Sequence, residues 1–182
     1  MTVRIEPAQF PRDLDVIHSL FSGYAASLGI DLTFQSFQDE LDSLPGKYAE
    51  SQGGFLLIAR AVVDHPDHIF ASHSTTPTLN PMTPRISAVG CVALRRSSDN
   101  WCEMKRLYVA ENARGLKLGD RLVEAIVAQA KGSGYRGIRL DTLPEMTAAQ
   151  RLYRRYGFVQ IEPYYDTPID GTIFMGCDFT LS

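Results

Sequence analysis

The chain has 182 residues, 45% of them hydrophobic and 21% charged, with a formal net charge of −3. That length suits one domain burying roughly 70% of the surface its unfolded chain exposes, and it argues against two full-sized domains. The charge gives no sign of a nucleic-acid binder, yet it averages two unlike parts: residues 95–155 hold 13 Lys+Arg against 7 Asp+Glu, and the remainder holds 5 against 14. Such a split reflects either two differently charged ligands or ordinary variation in surface charge.

Residues 3–5 read as an opening strand, with Pro11 at the start of a helix. Ile17, Leu20, Phe21, Tyr24 and Leu28 follow at i, i+3, i+4, i+7 spacing, an amphipathic stripe ending near Gly29. A shorter helix is expected over 34–44, stopped by Pro45-Gly46. Strands are expected over 55–63, 86–94 and 101–109, with Ser97-Ser98-Asp99-Asn100 as the turn joining the last two. Residues 64–85 carry four prolines and three histidines without periodicity, and are expected to form a flexible insertion. A helix runs from Gly115 to about Lys131 and ends at Gly132-Ser133-Gly134. A strand over 138–140, a helix over 148–156 and strands over 158–161 and 172–180 complete the chain. This order predicts a single α+β (α/β three-layer) domain over residues 1–182.

Cys91, Cys102 and Cys177 are an odd, widely spaced set without a CxxC pair, which excludes a disulfide scaffold and a four-cysteine zinc site. Arg4, Glu6 and Pro7 interrupt the first ten residues, so no apolar signal segment is expected. The most apolar window, 55–63, is broken by Arg60 and is too short to span a bilayer. A cytoplasmic protein with no membrane partner is the expectation. His65, His68 and His73 lack the helical i, i+4 spacing of zinc enzymes, so no metal site is expected.

The stretch Leu107, Tyr108, Val109, Ala110, Glu111, Asn112, Ala113, Arg114, Gly115, Leu116, Lys117, Leu118, Gly119, Asp120 is a strand, a turn and a helix start. Unpaired amides and the positive end of a helix dipole converge there, which suits a phosphate group, and Arg114 and Lys117 add cations. The alternative is that Gly115 and Gly119 serve only turn and packing. The stretch fits neither a P-loop nor a dinucleotide-binding fingerprint.

Arg114-Gly115-Leu116-Lys117-Leu118-Gly119 resembles the R/Q-x-x-G-x-G/A signature of the GNAT acetyltransferase superfamily. Ala149-x-x-Leu152-Tyr153-x-x-x-Gly157-Phe158 resembles its second signature. The separation of the two signatures, and the order of elements outside the insertion, are also similar. The run 102–109, together with Asp141-Thr142-Leu143-Pro144 and Pro163-Tyr164-Tyr165-Asp166, also resembles a narrower group of small-molecule-type members. The resemblance implies a mixed, mostly antiparallel sheet of about seven strands with flanking helices. It also implies an acetyl-coenzyme A site, in which the backbone of Leu107, Tyr108 and Val109 pairs with the pantetheine arm. The amides from Arg114 through Gly115, Leu116, Lys117, Leu118 and Gly119 to Asp120 would cradle the pyrophosphate. Two positions depart from the pattern. Lys117 replaces a glycine, which binding tolerates if the local φ is negative, and Met146 stands where many relatives carry Asn.

The implied reaction is attack by a primary amine of a small molecule on the thioester within a ternary complex. Tyr153 occupies the position from which the family protonates the departing thiolate, and a phenol with pKa ~10 keeps its proton at neutral pH. Glu103 is the candidate base, acting through water, because strand alternation places it on one face with Lys105 and Leu107. It can equally form a structural bridge with Lys105 or Arg106. Asp141, ending its own strand, is a weaker candidate. The same alternation turns Cys102 to the opposite face, away from a covalent role. Tyr24, Phe34, Glu103, Tyr164 and Tyr165 belong to segments that flank the acceptor in the family. The acidic balance outside 95–155 suits a cationic amine. The competing readings are a coenzyme A-binding sensor that has lost catalysis and a protein or peptide N-acetyltransferase. Monomer and homodimer remain equally open.

Overall fold

A computed structural model of the chain describes residues 2–29, 36–63, 85–98 and 100–181. The expected insertion therefore lies outside the described residues except for Arg85, and so does Phe34. The element order is β1 (Thr2–Pro7), α1 (Leu14–Leu28), α2 (Phe37–Asp42), β2 (Phe55–Val63), β3 (Arg85–Arg96), β4 (Trp101–Val109), α3 (Leu118–Gly132), β5 (Gly137–Thr142), α4 (Thr147–Arg155), β6 (Val159–Gln160) and β7 (Ile173–Asp178). The strands form one seven-stranded sheet in the order β1-β2-β3-β4-β5-β7-β6. Every neighbouring pair is antiparallel except β4 and β5.

Both faces of the sheet are covered, which explains why β2 reads as a nearly continuous apolar run, whereas β4 and β5 carry the charged residues of the site. In β2, Leu57, Ala59 and Ala61 join one core while Leu56 and Ile58 join the other. Ile17, Leu20 and Phe21 of α1 pack on the second core with Leu41 of α2 and Tyr48. The stripe of α1 ends at Gly29, whose φ of 65° is the left-handed C-cap that favours glycine. On the opposite face α3 buries Leu118, Leu122, Val123, Ile126, Val127 and Ala130. Emptying the fully buried Leu122 site to Ala would cost about 2–5 kcal/mol.

Several boundaries differ from the sequence reading. β3 continues through Arg96 because Arg95 and Arg96 pair in register with Glu103 and Cys102 across the hairpin. α3 starts only at Leu118, since Lys117 adopts φ 54° and ψ 27° and breaks the helix on its N-terminal side. The penultimate strand is just Val159–Gln160, and the last gives way to a 3₁₀ turn at Phe179–Leu181.

One irregularity repositions the site. Against β3, the register of β4 slips between the Cys91↔Tyr108 and Ala93↔Lys105 pairs, and Arg106 has φ 57°. Two residues of β4 thus stand opposite one of β3, a β-bulge. Parity reverses across it. Cys102 and Met104 belong to the α3-side core, and Leu107 and Val109 also pack against that core. The expected sharing of one face by Glu103, Lys105 and Leu107 is therefore corrected: Leu107 lies on the other face. An arginine at positive φ carries no local sequence signal, so alternation alone could not place the slip.

Candidate active site

The parallel ladder between β4 and β5 covers only Trp101↔Gly137, Cys102↔Ile138 and Glu103↔Arg139. β5 nevertheless pairs with β7 as far as Thr142. Beyond Glu103 the two strands diverge, and the β5-facing edge of β4 is left without a strand partner among the described residues. An edge of free N–H and C=O groups can receive an extended ligand as an added strand.

A narrow cavity of about 40 Å³ lies in this cleft, lined by Leu107, Asp141, Thr142, Met146 and Tyr153 among others. It has room for an acetyl-sized group or a few waters. Tyr153 is buried and packs against Phe158 at a ring-centroid distance of 5.8 Å. Burial pushes its phenol well above the usual tyrosine value, and the neighbouring Tyr24 and Asp141 add to the rise. The group therefore keeps its proton at neutral pH and is available as a donor. Thr142 Oγ1 is buried in the same lining without a hydrogen-bond partner among the described residues.

At the start of α3, Gly115 takes φ 85° and Lys117 takes φ 54°. The sequence expectation tied tolerance of Lys117 to a negative φ; the backbone is left-handed there, and a lysine in that region costs about 1–2 kcal/mol. The helix opens without a side-chain cap, and the Arg121 amide bonds back to Lys117 O at 3.2 Å. The amides of Leu118, Gly119 and Asp120, which precede it, sit at the positive end of the helix. Gly119 also has a packing role, because a Cβ there would come within 3.3 Å of Leu152 of α4. Leu116 is exposed. Arg114 is exposed and 3.5 Å from Glu111, while Arg155 pairs with Asp120.

A wider polar chamber of about 260 Å³ adjoins the cavity. Lys105, Arg106 and Tyr165 line both. Asp141 Oδ1 accepts from Lys105 Nζ at 2.8 Å. Glu103 lines neither space. Its Oε2 accepts from Arg95 Nε at 2.6 Å, and its Oε1 accepts from the Tyr164 hydroxyl at 3.0 Å, with Lys105 Nζ 3.5 Å from the same oxygen. The bridge between Glu103 and Lys105 is thus present, and Arg95, rather than Arg106, is its guanidinium partner. Arg106 pairs instead with Glu40 of α2 at 2.7 Å.

The sequence-predicted residues divide accordingly. Tyr24, Leu107, Tyr153 and Tyr165 meet at the cavity. Tyr164 supports it from behind: the Arg139 guanidinium carbon lies 3.9 Å from the Tyr164 ring centroid, and Phe174 packs on the ring edge-to-face. Tyr108 packs toward the α1-side core, and Val109 toward the α3-side core, so these two have only their backbone to offer a ligand. Cys102 is buried on the α3 side, where loss of solvation raises its thiol to about 12. Arg95, Lys47 and Glu40 are additions that the sequence reading missed, and Arg106 entered it only as a bridge partner of Glu103. The Arg95–Glu103 pair was accessible from hairpin counting, because the 97–100 turn sets those two residues opposite each other. Glu40 and Arg106 are 66 positions apart and gave no local signal.

Residues 85–160 match the acetyltransferase (GNAT) domain family. An uncharacterised N-acetyltransferase of Schizosaccharomyces pombe is 37% identical over 174 residues, covering 95% of this chain and 93% of that protein. The chain belongs to the GNAT acetyltransferase family. A second relative of this GNAT chain, an uncharacterised N-acetyltransferase of Dictyostelium discoideum, is 29% identical and covers 92% of this chain and 94% of its own. Two solved structures share the fold. A GNAT-family acetyltransferase of Staphylococcus aureus has TM-score 0.68 at 21% identity, covering 97% and 99% of the two chains. The PaiA N-acetyltransferase of Thermoplasma acidophilum, in complex with coenzyme A, has TM-score 0.65 at 16% identity, covering 98% and 100%.

The residues present in this GNAT chain fit an acyl-coenzyme A. The unpaired β4 edge, the uncapped start of α3 and the unsatisfied Thr142 hydroxyl supply backbone and side-chain groups for an extended anionic ligand. Among the described residues no helix is long and apolar enough to cross a membrane, and no three His, Cys, Asp or Glu converge as a metal site. His65, His68 and His73 lie outside the described residues.

Proposed function

We propose that this GNAT chain moves an acetyl group from acetyl-coenzyme A directly to the primary amine of a small molecule. One observation carries the reading: Tyr153, buried and protonated, lines the narrow cavity in the split between β4 and β5, and that cavity adjoins the polar chamber through Lys105, Arg106 and Tyr165. When bound, acetyl-coenzyme A supplies an activated acyl carbon, and the new carbon–nitrogen bond forms as the carbon–sulfur bond breaks.

The protein's part is to manage two protons. An alkyl ammonium with pKa ~10 must lose one before its nitrogen can attack. A carboxylate accepts it, directly or through a water. Glu103 was the first candidate, but its oxygens already receive Arg95, Tyr164 and Lys105, and it lies outside the cavity lining. Asp141 lines the cavity and is the base in this reading, with Glu103 holding Lys105 and Arg95 in place. Tyr153 delivers the second proton to the departing sulfur. Leu107 and Met146 supply apolar wall around the acyl group. The chamber of about 260 Å³ favours a small acceptor over a peptide.

The test is an amine-library screen that follows release of the coenzyme A thiol, with Tyr153→Phe as control. Turnover with at least one amine is expected, and the Phe variant should be about 100-fold slower or worse with cofactor binding retained. Cofactor binding without turnover across the library would favour a sensor instead.

A further inference from the structure

The polar chamber is more cationic than an acceptor that is simply a positively charged amine would require. Its lining includes Lys47, Arg95, Lys105 and Arg106, against the carboxylates of Glu40 and Asp166. Glu40 is committed to Arg106, and both side chains are almost completely buried. Lys105 is shared between Asp141 at 2.8 Å and Glu103 at 3.5 Å, and Arg95 is held by Glu103 at 2.6 Å. Lys47 differs from the other three. It follows Gly46 in the 3₁₀ turn at Gly46–Tyr48 and lines the chamber, with no carboxylate within 4.0 Å among the described residues. Asp166 stands exposed at the rim.

The structure assigns to this chamber an anion subsite: we propose that the acceptor is an amino acid-like molecule, with its amine directed to Asp141 and Tyr153 and its negatively charged group held by Lys47 and Arg95. The inference rests on the acetyl-transfer reading and adds the substrate class to it. The narrow cavity and the chamber that adjoins it differ in charge. Asp141 and Tyr153 line the cavity, where an ammonium group arrives and gives up its proton. The chamber presents Lys47 and the outer side of Arg95, which is 26% exposed although paired with Glu103. Arg95 and Arg106 are already paired with Glu103 and Glu40, so the exposed Lys47, with no carboxylate within 4.0 Å among the described residues, is the chamber cation left to receive an anion. Burial lowers the Lys47 ammonium below the usual lysine range, with the charge of Arg95 adding to the fall and that of Glu40 opposing it. An anion placed there would oppose the fall as well. Carboxylate and phosphate share the recognising chemistry, and the chamber's lysine and arginine accept either.

The experiment measures binding by isothermal titration without acetyl-coenzyme A, so that it does not depend on turnover. The probes are α- and ω-amino acids of two to five carbons, the corresponding amino amides, and aminoalkyl phosphates of matching length. At least one acid or phosphate should bind about 10-fold or more tightly than its neutral amide, the ratio expected of one charge-assisted contact at a partly exposed site. The acid-to-amide ratio should fall to within about 2-fold in Lys47→Met and be retained in Lys47→Arg. Preference for acid over phosphate, or the reverse, identifies the source of the anion. Equal binding of acids and amides, preference for the amides, no measurable binding of any probe, or an unchanged ratio in Lys47→Met overturns the subsite. A failed thiol-release screen alongside a Lys47-dependent acid preference would remove the transfer reading and leave the subsite standing.

Discussion

Glu40→Ala is the sharpest test of how the site is held to the fold. Glu40 belongs to the six-residue helix α2, and its Oε1 lies 2.7 Å from Nε of Arg106, the bulge residue of β4. The side chains are 2% and 1% exposed, so removing the carboxylate leaves a guanidinium buried beside its former partner. Breaking a buried pair in this way costs about 3–5 kcal/mol. Arg106 keeps the faces of Tyr24 and Phe37, whose ring centroids lie 5.4 and 5.0 Å from its guanidinium carbon, and those contacts place the expectation at the lower end, about 3 kcal/mol. For a domain of this length 1 kcal/mol moves the melting temperature by about 2–4 °C, so a fall of about 6–12 °C is expected. Thermal unfolding followed by far-ultraviolet circular dichroism reads it. Glu40→Ala/Arg106→Met should regain at least half of the loss, because the buried cation is removed together with its carboxylate. A single variant within 1 kcal/mol of the parent, or a double variant less stable than the single, would refute the claim that this pair anchors the bulge.

Other consequences are equally direct. Lys117→Gly removes a side chain from a left-handed position and should raise stability by about 1 kcal/mol, read as a melting-temperature increase of about 2–4 °C. Asp141→Asn should reduce kcat about 100-fold or more with little change in KM, whereas Glu103→Gln should act mainly through loosened Arg95 and Tyr164 and change KM more than kcat, as steady-state kinetics would show. Asp13 is stabilised in its charged form: burial pushes its carboxyl up, but hydrogen bonds from Arg12, the Gln9 amide and Arg60 outweigh that and hold it below the usual value. A depressed folded pKa contributes stability that is complete above the unfolded value of ~3.9 and is lost as pH falls through the folded one. The melting-temperature gap between parent and Asp13→Asn should therefore be full at pH 6 and shrink below about pH 4.

Much of the architecture was legible because its signals are local. The apolar stripe of α1, the 97–100 turn and the strand Phe55–Val63 follow from spacing and turn chemistry within a few residues. Tyr153 was found because its neighbours form a recognisable signature. The base and the chamber were harder. Glu103 looked available as long as β4 was read as an unbroken alternation. The bulge at Arg106 and the partners Arg95 and Tyr164 exist only once distant segments pack together. The charge split had a physical origin as well: Arg95, Lys105 and Arg106 are cations of the 95–155 segment that largely face carboxylates rather than solvent. Glu40, from outside that segment, neutralises one of them. Lys47 carried no pattern at all, since a lone lysine after a glycine is among the commonest surface residues.

The extra residue in β4 has a bearing on how this acetyltransferase could be diversified. Before the bulge, positions 103 and 105 address the polar side of the sheet; after it, 107 and 109 address the α3-side core. A single strand is thereby split into a half that addresses the polar site and a half that addresses the core. Libraries aimed at new acceptors should randomise 103 and 105 together with 47 and 95, leaving 107 and 109 apolar. Deleting Arg106 would take out the extra residue and restore plain alternation, keeping 103 and 105 on the polar side and 107 and 109 on the core while losing the buried pair with Glu40.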